Sequence, residues 1–160
     1  MPMNRSEPLA QSHSPFHSQF QSRAAARVLA LALLADGRLS AGERAVLRAR
    51  HGLMRRLGIA PEVLDREVQS CSGRLLSARD PDWEGPCLPE AGTLRRLLAD
   101  IGDRDSRNRL FRLCADIAEA DGELSEGEFR LLAAALEQWG IHRRMLALAD
   151  TDRGMAMRSA

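Results

Sequence analysis

Asp36-Gly37-Arg38-Leu39-Ser40-Ala41-Gly42-Glu43 and Asp121-Gly122-Glu123-Leu124-Ser125-Glu126-Gly127-Glu128 agree at six of eight positions. Each octet follows an alanine-rich apolar stretch and precedes an amphipathic one, and a Gly-Ile pair closes each unit, at Gly58-Ile59 and Gly140-Ile141. Internal duplication explains this agreement better than chance. The octet has the chemistry of a joint between two helices. Its glycine takes the left-handed conformation that ends a helix, and Ser followed three residues later by Glu spells the capping box of the next one. Asp36 and Asp121 can accept hydrogen bonds from turn amides, and Leu124 and Phe129 hold the staple positions of the second copy.

The flanks of the first octet are helical. From Arg23, Val28, Leu29, Leu31, Leu33 and Leu34 cover nearly the whole circumference between alanines, which predicts a central buried helix. Residues 1–20, with Pro2, Pro8, Pro15 and many Ser, Gln and His, lack apolar periodicity and are expected to be a disordered arm. A second helix is expected from Ala41 to about Leu57, ended by Gly58. Pro61 suits a first helical position, followed by Leu64, Val68, Cys71 and Leu75 on one stripe. The stretch Ala78 to Gly92, with Asp80-Pro81, Gly85-Pro86 and Pro89, reads as a connection.

Around the second octet the pattern recurs. A short helix from about Thr93 to Ile101 precedes one from about Ser106, striped by Leu110, Leu113, Cys114 and Ile117. Phe129, Leu132, Leu136 and Trp139 stripe the helix after the turn, and Gly140 closes it. A weak last helix is expected over Arg143 to Leu148, with residues 151–160 a frayed tail. Apolar alternation is absent and β-branched residues are scarce, so the chain reads as all-α, one helical domain over residues 21–150.

At 160 residues such a domain buries about 70% of its unfolded surface without disulfide or metal support. Cys71, Cys87 and Cys114 are odd in number and lack metal-site spacing, which suits a reducing, cytoplasmic location. The apolar run Ala24 to Ala35 falls short of the ~20 residues a membrane span needs, so no transmembrane segment is expected. There is no lysine. Residues 1–80 carry twelve arginines against seven acids, +5, and residues 81–160 eleven against fifteen, −4.

No Walker, dinucleotide or G-x-S-x-G motif is present, and His13, His17, His51 and His142 have no ligand spacing. With no acid, base and nucleophile set in view, the chain is expected to be a binding protein rather than an enzyme. Cys87 is the thiol to test for reactivity, and Trp83 could anchor a protein partner. The octets also admit a cation reading, since Asp36 with Glu43, and Asp121 with Glu128, offer oxygens to a hard divalent ion: calcium, magnesium or manganese. With Gly122 set at the sixth position of an EF-hand loop, Glu119, Asp121, Leu124 and Glu128 fall at acceptable places. Ile117 then stands where the first carboxylate is needed, which excludes a tight calcium loop.

Ala35-Asp36-Gly37 with Glu43, Ala120-Asp121-Gly122 with Glu128, the helix begun by Pro61 and the loop-rich joint together resemble the tellurite-resistance protein B (TerB-like) family over about Arg23 to Leu148. That resemblance implies a compact bundle of about seven helices in two pseudo-twofold halves. It also implies cation binding at Asp36, Glu43, Asp121 and Glu128, and a role in a stress or tellurite-resistance response with a protein partner. Leu31 and Leu34 stand where the second copy has Asp116 and Glu119, so the cation is expected at the second copy. No His-Pro-Asp motif of a DnaJ-type fusion is present. The rival reading is an adaptor for nucleic acid or an anionic membrane surface, using Arg44, Arg48, Arg55 and Arg56.

Overall fold

The computed structural model describes residues 15–37, 39–78 and 88–141. They form seven helices and no strand: α1 (Pro15–Leu33), α2 (Ala41–Ala49), α3 (His51–Arg56), α4 (Pro61–Ala78), α5 (Ala91–Ala99), α6 (Arg104–Ala118) and α7 (Glu126–Trp139). The all-α compact bundle expected from the apolar periodicities is therefore present. No helix among the described residues is long and apolar enough to cross a membrane.

Helix α1 is the axis of the bundle. It packs chiefly on α4 and also touches α5, α6 and α7. Ala24, Ala25, Ala26, Val28, Leu29 and Ala30 through Leu33 are all buried, the outcome that the all-round apolar pattern predicts. The alanines let neighbouring helices approach on several sides. Opposite α1, Leu98, Leu110, Leu113, Ile117 and Leu131 complete the core, each almost wholly excluded from water. Full burial of a leucine or isoleucine stabilises by about 1.5–3 kcal/mol. Two polar ties fix the layers. The Trp139 indole N–H donates to the Leu98 carbonyl across 2.8 Å, joining α7 to α5. On the other side the buried Glu67 of α4 accepts from Arg23 Nε (2.9 Å) and Arg27 Nε (3.0 Å) of α1.

Three features differ from the sequence-based expectation. Helix α1 begins at Pro15, inside the stretch expected to be disordered up to residue 20. Once a helix is nucleated each added residue gains a backbone bond, so a polar stretch with no apolar stripe can extend it. The single helix expected from Ala41 to Leu57 is broken into α2 and α3 at Arg50, whose φ of −99° and ψ of 16° leave the helical region. Arg50 Nε there lies 2.8 Å from Asp116 Oδ2 on α6. The fifth and sixth helices start two residues earlier than their apolar stripes suggest, at Ala91 and Arg104. The helix expected over Arg143 to Leu148, the tail 151–160, Trp83 and Cys87 lie outside the described residues.

Candidate functional site

Both octets fold as the capping chemistry requires. Gly37 and Gly122 take φ of 83° and 78°, and their N–H groups donate to the Leu34 carbonyl (2.9 Å) and the Glu119 carbonyl (3.2 Å). Ser40 Oγ accepts from the Glu43 amide (3.1 Å) while Glu43 Oε2 accepts from the Ser40 amide (2.6 Å). Ser125 and Glu128 repeat the exchange at 3.2 and 2.7 Å. The closing Gly-Ile pairs are matched too. Gly58 and Gly140 are left-handed, and the next amides, Ile59 and Ile141, reach back to the Met54 carbonyl (3.0 Å) and the Leu136 carbonyl (3.3 Å). Both isoleucines are then buried as the apolar residues that follow such a helix end.

The octets also meet each other. Ser40 Oγ donates to Asp121 Oδ1 across 2.9 Å, a contact between residues 81 apart in the chain. The start of α2 lies so close to the second turn that a Cβ on Gly42 would stand 2.7 Å from Asp121 Oδ1 and 3.0 Å from the Ala120 carbonyl oxygen. One cap therefore serves two purposes: it starts α2 and it holds the other copy's aspartate.

This contact decides which acids share a site. Burial pushes the Glu43 carboxyl above the usual range; hydrogen bonds from Ser40 oppose the rise, and the charges of Asp36 and Asp121 add to it. Asp36 and Asp121 are exposed, with Glu43 buried between the cap and the core. Glu128 is buried as well, and it closes the cap of α7. Of the four acids singled out in the sequence, Asp36, Glu43 and Asp121 thus form one electrostatic group. Asp121 is tied to the first octet through Ser40, while Glu128 closes the cap of α7. Among the described residues no three His, Cys, Asp or Glu side chains close into a metal cluster. The three acids make a negative field open to solvent, not a finished coordination shell.

The other sequence candidates separate. Leu124 and Phe129 stand at the staple positions yet remain 52% and 60% exposed, so the staple leaves much apolar surface in water. Arg44, Arg48, Arg55 and Arg56 are exposed, but the break at Arg50 divides them between two helices. Cys114 is a core thiol that burial pushes up to about 12. Two groupings went unread in the sequence: the Arg23–Glu67–Arg27 tie, and Arg27, Arg74 and Arg96, which three different helices bring to one pocket. A hint of the first was the (i, i+4) spacing of two arginines inside an alanine run. Compared with protein-family models, curated proteins and solved structures, the chain matches none of them.

Proposed function

We propose that this chain is a non-enzymatic, TerB-like helical interaction domain of the cytoplasm, in which a divalent cation at the joined turns tunes the binding of a protein partner during a stress or tellurite-resistance response. The observation that carries the reading is the hydrogen bond from Ser40 to Asp121, which brings acids of both copies into one field. Like charges beside a buried carboxylate raise each other's energy, and a cation relieves this without needing a proton. An all-oxygen set suits calcium, magnesium or manganese. So few protein ligands imply weak binding, with water completing the shell, at a dissociation constant of about 10⁻⁴–10⁻³ M.

The test is a titration of the full chain with each ion by calorimetry, with thermal melts alongside. Wild type gains stability with the ratio of free ion to dissociation constant. Asp36→Asn and Asp121→Asn lose most of that gain. Glu128→Gln keeps it, because Glu128 belongs to a separate cap. Absence of both heat and melting shift in wild type at millimolar ion refutes the cation, and equal loss in Glu128→Gln refutes the junction as its place.

A further inference from the structure

Helices α1, α4 and α5 line an open pocket of about 380 Å³. Its inner wall is Leu31, Cys71 and Leu97, all buried, and its rim carries Arg27, Arg74 and Arg96 with Asp100. Cys71 belongs with the apolar wall: burial pushes its thiol up, the nearby Arg74 only partly offsets this, and the sulfur stays a neutral S–H. At water's ~30 Å³ per heavy atom the pocket holds about a dozen non-hydrogen atoms. Apolar walls with a few convergent polar groups are what a small-molecule site offers.

The rim sets the sign of the ligand's charge. Among the described residues the three guanidiniums share the rim with one carboxylate, Asp100, and the Glu67 behind Arg27 is divided between Arg27 and Arg23, so the rim is net positive. The Arg96 side chain makes no hydrogen bond or ion pair among the described residues. The groove between α5 and α7 differs in this respect, since its Arg95 and Arg130 are balanced by Glu90 and Glu137.

We propose that the pocket binds a small monocarboxylate with an apolar tail, of the length of octanoate or decanoate. The tail lies along Leu31, Cys71 and Leu97, and the carboxylate meets the planar fork of Arg96 together with the Arg74 N–H groups not already turned to the Ser70 carbonyl and Cys71 Sγ. A net positive rim suits an anion, and the apolar wall favours one that carries a tail over a bare inorganic ion. The site does not depend on the acidic turns.

Calorimetry on the full chain tests this with sodium decanoate and octanoate as probes, and with decanol and decyltrimethylammonium as controls of equal tail length. Decanoate binds saturably, one per chain, and both controls bind at least about tenfold more weakly, since each lacks the charge-assisted bonds. Arg96→Gln and Arg74→Gln, at exposed positions, each weaken decanoate by roughly three- to tenfold. Arg95→Gln, on the opposite side of α5, leaves it unchanged. Thr93→Trp at the rim blocks binding while the helical circular dichroism stays that of wild type. The proposal is overturned by no saturable heat at millimolar decanoate, by decanol binding as tightly, or by Arg95→Gln costing as much as Arg96→Gln. Displacement of decanoate by an equal concentration of inorganic phosphate also overturns it, because the arginines would then serve a hydrophilic anion.

Discussion

Replacing Glu67 with glutamine removes a buried negative charge and turns one of its two acceptor oxygens into an NH2 donor, with almost no change of shape. Its side chain is 5% exposed and its two oxygens each accept one guanidinium, from Arg23 and Arg27. The two bonds differ in weight because Arg23 is 70% exposed and Arg27 34%. Solvent screens the first, which contributes about 0.5 kcal/mol. The second, charge-assisted and half-buried, contributes about 1.5 kcal/mol. Glu67→Gln is therefore expected to destabilise by about 2 kcal/mol, and at about 4 °C per kcal/mol to lower Tm by about 8 °C at pH 7. Burial alone would raise the Glu67 carboxyl, but the two arginines overcome it and the group titrates below its usual 4.5. A carboxyl lowered in the fold adds stability above the unfolded value and loses it as pH falls through the folded one. The gap between wild type and Glu67→Gln should thus be full at pH 7 and shrink steadily below about 4.5. Thermal melts of both proteins from pH 3 to 7 measure it. A gap under about 2 °C at pH 7, or one equally large at pH 3, would refute the assignment of this tie as the polar clamp between α1 and α4.

Ser125→Ala should cost about 1 kcal/mol by loss of a cap, and Ser40→Ala roughly half a kcal/mol more, because its hydroxyl also binds Asp121; denaturant midpoints would rank the two. Gly42→Ala should destabilise by about 1–3 kcal/mol, since a Cβ there meets the Ala120 carbonyl, whereas Gly52→Ala has open space and should gain about 0.5–1 kcal/mol of helix propensity. Similar melting shifts for the two glycine variants would contradict the close approach at Gly42. Glu43→Gln keeps an acceptor for the Ser40 amide and removes a charge from beside Asp36 and Asp121. Because the Glu43 carboxyl is raised in the fold, its proton stabilises below the unfolded value and that gain is lost as pH rises through the folded one. The glutamine variant, set against wild type in melts without divalent ions, should therefore gain ground between pH 4 and 7; a steady loss over that window would count against the shared acidic field.

Local chemistry made the caps legible. Ser three residues before Glu, Gly before Ile and Pro61 at a helix start each act within one turn of chain, so the residues that matter are neighbours in sequence. The buried character of α1 was legible as well, because leucines and alanines leave no polar face to expose. What escaped were properties set by partners far along the chain. Arg50 breaks its helix beside an acid on α6, and Asp121 takes its hydroxyl donor from the other octet. Nothing in either copy alone says that Glu43 shares a field with Asp121. Likewise Arg27, Arg74 and Arg96 are spaced as ordinary solvated helix residues, and only the angles at which α1, α4 and α5 meet collect them around one opening.

The position of α1 bears on how the two ends of the chain depend on each other. Its neighbours include α4 from the stretch around the first octet and α5, α6 and α7 from the stretch around the second. Cutting the chain between α4 and α5 would strip α1 of half its cover and leave α5 to α7 wrapped around an empty axis. Neither stretch, α1 to α4 or α5 to α7, is then expected to fold alone, although each carries its own turn, caps and closing isoleucine. Opening of one half exposes the alanine and leucine surface on which the other rests, so the two open together. The backbone amides of α1 from Ala24 to Leu33 should exchange with solvent deuterium only when the whole bundle unfolds, and at one common free energy.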